Sequence, residues 1–237
     1  MAEQLYPYQQ RGIAMYSINL EAISLDEFAE ITSTKYLIPG RRILLDHLLS
    51  VMQHLKTQNI QHLASLKKLL GDKKTYTHMA EDLGVSVEYL TVLNREVNSY
   101  ESKPIALSKL DIFTVSELEQ LKSAGLRSTK HFYEQALTAD DRRNLVSRSQ
   151  LNADKILQAL ELADLLRING VGPVFARVLQ AMGIHNVAQF AQTAPETILE
   201  RYIQFREAND PSLPNLSIKD VQYSQRFCGK LDNDIQW

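Results

Sequence analysis

A single cysteine, Cys228, among 237 residues excludes an internal disulfide and any cluster of thiolate metal ligands. No apolar run approaches the length of a membrane span, so no membrane partner is expected. The opening stretch MAEQLYPYQQ lacks the basic and apolar regions of a secretory signal, and the expected location is cytoplasmic. There is no phosphate-binding loop, no G-x-S-x-G and no dinucleotide fingerprint. The six histidines (His47, His54, His62, His78, His131 and His185) are scattered. His47 and His54 could share a helix face, but no carboxylate pair completes a metal site. The chain therefore reads as non-enzymatic, with no cofactor, no metal and no small-molecule substrate. An excess of positive charge is missing too. The net charge is −2 and the pI about 6.3, away from the basic balance of a typical DNA-binding domain.

What is present suits a globular helical protein. Hydrophobic residues make up 44% and charged residues 23%, enough for one large or two small cores. The small net charge hides an alternation. Residues 41–78 carry net +5, residues 79–121 net −5 and residues 122–148 net +3. The basic segments could share a face that meets an anionic partner, or the alternation solvates successive helices.

Residues 1–23, with Tyr6, Tyr8 and Tyr16, show no clear helical pattern. Ser24-Leu25-Asp26-Glu27 reads as a capping box opening a short helix to about Ile31. Pro39-Gly40 break the chain. A long helix is expected from about Arg41 to Thr57, then shorter ones near 61–70 and 75–83. Gly84 ends the last of these, and Ser86 caps a helix from about Val87 to Asn98. Residues 79–90 imitate a DNA-reading helix-turn-helix. Its second helix, however, would offer Val87, Glu88, Tyr89 and Thr91 where base-reading helices carry Arg, Lys, Gln or Asn. Two packed structural helices are the better reading.

The rest repeats itself. Leu121-Lys122-x-x-Gly125-Leu126 matches Leu179-Gln180-x-x-Gly183-Ile184 at an offset of 58 residues, and Leu55-Lys56-x-x-Asn59-Ile60 is a weaker copy 66 residues before the first. The expected fold is all-α, with about three tandem helical units in stacked register. The boundaries expected are 1–40 for an arm and short helix, 41–106 and 107–164 for two degenerate repeats, and 165–237 for a third repeat with a C-terminal extension. Leu110, Leu118, Leu121, Leu126, Ile168, Ala176, Leu179 and Ile184 occupy matching apolar positions and should form core.

Within the third unit, Ile168-Asn169-Gly170-Val171-Gly172-Pro173 joins two helical runs, with the small Ala176 following. The stretch resembles the helix-hairpin-helix superfamily. Ala163-Asp164-Leu165-x-Arg167-Ile168-x-Gly170-Val171-Gly172 is more closely similar to a family known only as a domain of unknown function. That family also carries an upstream Gly-Val-Ser-x-x-x-Leu, matched here by Gly84 to Leu90 and loosely by Gln150 to Ile156. The similarity covers roughly residues 40–200. It implies a nucleic-acid or protein binder. Free amides at a helix N-terminus can hold a phosphate. In the first reading, therefore, Arg167, Asn169, Gly170, Val171, Gly172, Val174, Phe175 and Arg177 contact a nucleic-acid backbone without sequence preference. In the second the hairpin serves packing alone, within a protein-interaction scaffold. The acidic pI, and Val174 where phosphate-binding relatives carry Lys or Arg, favour the second. The absence of any carboxylate from 165 to 195 favours the first.

Overall fold

Helix caps written into the sequence set most of the architecture. The computed structural model describes residues 15–237, so Tyr6 and Tyr8 lie outside the described residues. Among these residues it is all-α, with thirteen α-helices and no strand. Contacts divide the chain into two compact units, one of residues 19–101 and one that joins residues 15–18 to 102–237. Residue 164 lies inside a helix that belongs wholly to the second unit.

The 19–101 unit contains α1 (Leu25–Thr34), α2 (Leu44–Thr57), α3 (Leu63–Leu69), α4 (Tyr76–Leu83) and α5 (Val87–Asn98). Ser24 and Ser86 each accept an N–H bond from the third residue of the helix they open. Gly84 ends α4 at φ +65°, a conformation that costs glycine little. The 79–90 stretch is thus two packed helices, with Ala80 and Leu90 buried. Glu96 on α5 is fully buried and paired with both Lys35 and Arg41. Such a carboxylate is tolerated in a core only with its countercharges in place.

The second unit contains α6 (Val115–Ser123), α7 (Thr129–Glu134), α8 (Ala139–Ser149), α9 (Ala153–Leu165), α10 (Pro173–Ala181), α11 (Val187–Gln192), α12 (Pro195–Asn209) and α13 (Ile218–Cys228). α9 is its centre. Ile156, Ala159, Leu160, Leu162, Ala163 and Leu165 are all buried, because α7, α8 and α10 pack around it. Asp140 to Arg143 form the first turn of α8, where Thr138 and Asp141 make a capping box and Arg143 pairs with Asp140. Cys228 is buried, and its thiol reaches the Ser224 carbonyl.

The same helix–turn–helix recurs at the spacings read from the sequence. α10 and α11 begin and end 58 residues after α6 and α7. Asn59, Gly125 and Gly183 all take positive φ between the paired helices. After each, the next N–H donates back to the preceding helix: Ile60 to Leu55 O, Leu126 to Leu121 O and Ile184 to Leu179 O, at 3.1, 2.8 and 2.9 Å. His62, Ser128 and Asn186 then cap the following helices with their side chains.

Seven of the eight expected core residues are buried, and Leu118 is not. Its counterpart Ala176 is fully buried, since α10 lies between α9 and α12. α6 packs on α8 and leaves Val115 80% exposed.

Candidate functional site

The turn from Leu166 to Gly172 and the start of α10 were expected to present two cations, Arg167 and Arg177, and a set of free amides. Arg167 is not at the surface. Its side chain is 1% exposed and its guanidinium is fully engaged inside the unit. Nη1 donates to Asp164 at 2.7 Å, Nε to Tyr16 O at 3.0 Å and Nη2 to Asp232 O at 2.7 Å. The group also stacks on Tyr133, 4.1 Å from the ring centroid. Ser102 Oγ donates to the Arg167 carbonyl. This one residue therefore ties the turn to the segments around residues 16, 102, 133 and 232.

Asp164 explains why the arginine is there. Leu63 and Thr129, the first residues of α3 and α7, donate their N–H groups to Ile23 O and Ile105 O, both at 2.9 Å. Val187 holds the same place in α11. The chain facing it at the 58-residue offset is the last turn of helix α9. Asp164 supplies the missing acceptor, and its Oδ2 receives the Val187 N–H at 2.9 Å. That substitution buries a carboxylate, and Arg167 one turn on neutralises it. Burial pushes the Asp164 carboxyl above its usual range, while the Arg167 charge and the Val187 amide pull the other way. Burial likewise raises the Tyr16 phenol to about 12, although its bond with Thr129 and the Arg167 charge oppose this. The Cys228 thiol is also pushed up to about 12, by burial first and the Asp164 charge second, so it stays protonated and inert at neutral pH.

Arg177 is closer to the surface, with its side chain 32% exposed, but it is also engaged. Its Nη1 donates to Leu110 O at 3.2 Å and lies 3.1 Å from Asp111. The carboxylate-free stretch in the sequence therefore acquires carboxylates from outside it, Asp111 and Asp164. Asn169 accepts a bond from the Tyr223 hydroxyl at 3.1 Å. Gly170 has φ +92°, and a Cβ there would lie 2.6 Å from Ser224 Oγ, so α13 closes over it. Val171 is buried. Phe175 packs edge-on against Phe190 and Tyr202, at centroid distances of 6.5 and 5.7 Å.

What remains open is small. Gly172 caps α10 with ordinary extended backbone (φ −95°, ψ 172°), and no side chain caps the helix. A Cβ on Gly172 would meet nothing within 4 Å, so no positive φ or close approach demands glycine there. Val174 is 47% exposed. The open helix end thus carries an apolar residue and no cation of its own. Sequence reasoning missed the Asp164–Arg167 pair as a structural unit. Its signal was the Asp-x-x-Arg spacing, one helical turn apart, followed by an amide-rich turn.

Taken together, the fold and the turn define an all-helical unit in which Asp164 and Arg167 are buried as a pair. Residues 112–221 match the model of a family described as a domain of unknown function (DUF4332). The match begins well after residue 40, where the sequence resemblance was expected to start, and extends beyond residue 200. No curated protein and no solved structure matches the chain. Among the described residues, no helix is long and apolar enough to cross a membrane.

Proposed function

We propose that the chain is a non-enzymatic protein-interaction scaffold that uses a helix-hairpin-helix-like turn for packing. The observation that carries this reading is the Arg167 guanidinium, buried and bonded to Asp164, Tyr16 O and Asp232 O. A phosphate contact needs that charge at the surface. A group with its donors already directed at protein acceptors has none to offer an incoming anion. Arg177 bound to Asp111, the exposed Val174 and the small net negative charge point the same way.

The nucleic-acid reading keeps one specific observation, the uncapped N-terminus of α10 beside the open Gly172. Titration with duplex, single-stranded and branched DNA and with RNA separates the two. The scaffold expects no salt-sensitive binding by the wild type. Binding that weakens in Arg177→Glu, with the log–log salt slope falling by about one, would establish the other reading instead.

A further inference from the structure

α12 has two faces of different chemistry. Ile198 and Tyr202 are buried, and Tyr202 joins Val178 and Leu213 in a small core with Phe175 and Phe205 against it. The opposite face carries a shallow groove lined by Leu199, Ile203 and Gln204, by Ile218 of α13, and by Glu196 and Glu200. Ile203 is 43% exposed and nothing in the unit covers it. Glu196, Glu200 and Glu207 follow helical spacing, so their carboxylates form one row beside the apolar row of Leu199 and Ile203. All three glutamates are exposed, and none forms an ion pair among the described residues. The arginines of the same helix are turned elsewhere: Arg201 reaches Met182 O and Arg206 reaches Asn215 Oδ1. Lys219, exposed next to Ile218, is the cation at the α13 edge.

An apolar strip with a one-sided row of unpaired carboxylates is half of a helix-packing interface. We infer that the α12–α13 groove docks an amphipathic helix of a protein partner, with an apolar stripe seated between Ile203 and Ile218 and a Lys/Arg row facing Glu196, Glu200 and Glu207. Charge selects this occupant. The glutamate row repels nucleic acid and acidic helices, while basic side chains gain three facing carboxylates and extend their aliphatic stems over Leu199. The apolar residues supply the anchor, and the charges set orientation and partner choice. The inference rests on the scaffold reading and gives it a surface.

The probe is a synthetic helical peptide of about 18 residues, with leucines at i, i+3, i+4 and i+7 flanked by lysines, alongside a twin flanked by glutamates. Binding to the full chain is followed by fluorescence anisotropy. The wild type should bind the lysine peptide and reject the twin. Ile203→Asp, at an exposed position, should bind the lysine peptide at least about tenfold more weakly. The triple charge reversal of Glu196, Glu200 and Glu207 to Lys should invert the preference. Glu200→Lys alone should weaken lysine-peptide binding and serves as the second variant if the triple one does not fold. Equal binding of both peptides, binding unaffected by Ile203→Asp, or no binding would overturn the inference. So would self-association of the wild type that Ile203→Asp abolishes, which would give the groove to a second copy of this chain. Failure of the peptides without salt-sensitive nucleic-acid binding removes only this surface. Nucleic-acid binding that depends on Arg177 removes the scaffold reading itself.

Discussion

The α6–α7 and α10–α11 pairs share their helix limits, their positive-φ glycine and their return hydrogen bond, yet they are entered differently. α6 is opened by Thr114, whose hydroxyl and Glu117 carboxylate complete a capping box, and its outer face meets solvent at Val115. α10 is opened by Gly172 with no side-chain cap, and it lies between α9 and α12. One helix is held at its end by a local cap. The other is held along its length by packing, and the preceding turn is pinned by Arg167. Equivalent backbone geometry therefore rests on different energetics. An uncapped helix end reflects the neighbours that hold it as much as any ligand.

Breaking the pinned turn should have the largest effect. Arg167→Ala removes one partner of a buried pair and leaves Asp164 unpaired, so it should destabilise by about 3–5 kcal/mol in denaturant unfolding. A cost below about 1 kcal/mol would mean that the pair is solvated. Leu179→Ala should cost about 2–5 kcal/mol through lost burial and a cavity, whereas Leu118→Ala, at a half-buried position of α6, should cost less. Equal costs would erase the difference between the two helices.

Within the α10 turn itself, Gly170→Ala should cost about 1–3 kcal/mol, because it combines positive φ with a clash at Ser224. Gly172→Ala weakens the N-cap but also lowers the entropy of the unfolded chain, so its net cost should stay below about 1 kcal/mol. At the other entry, Thr114→Ala should cost about 1 kcal/mol through the lost cap. Gly172→Ser should not cost stability and should add the cap that α10 lacks.

Ionisation has the smallest effect at neutral pH and grows with alkali. Tyr16 titrates near 10 when unfolded and at about 12 when folded. Its contribution is therefore complete below about pH 10 and is lost as the pH climbs toward about 12. Cys228 acts in the same direction from its ordinary value of 9.0. Stability measured against pH should fall across that window. A thiol reagent at neutral pH should label Cys228 only after denaturation.

The periodic parts of this fold were legible. Helix spacing and caps gave α1 to α5 their approximate limits, and the recurrence at 58 residues paired the turns at Gly125 and Gly183, because those signals are local. The inward turn of Arg167 was not legible. A buried arginine requires acceptors from Tyr16, Asp164 and Asp232, and two of these lie far away in sequence. Arg177 misled for the same reason, since Asp111 reaches it from another turn. The carboxylate-free window described the chain rather than the space around it. Gly172 has ordinary extended backbone at φ −95°. The glycine of that turn that needs its freedom is Gly170.

The proposed packing role of the α10 turn leaves no phosphate site there. Amide chemical shifts of Gly172, Val174 and Phe175 in isotope-labelled protein test this directly, during titration with inorganic phosphate and then with duplex DNA. A turn that serves packing alone should leave these three amides without a saturable shift at physiological ionic strength. Saturable shifts confined to them, weakened by added salt and lost in Arg177→Glu, would contradict it.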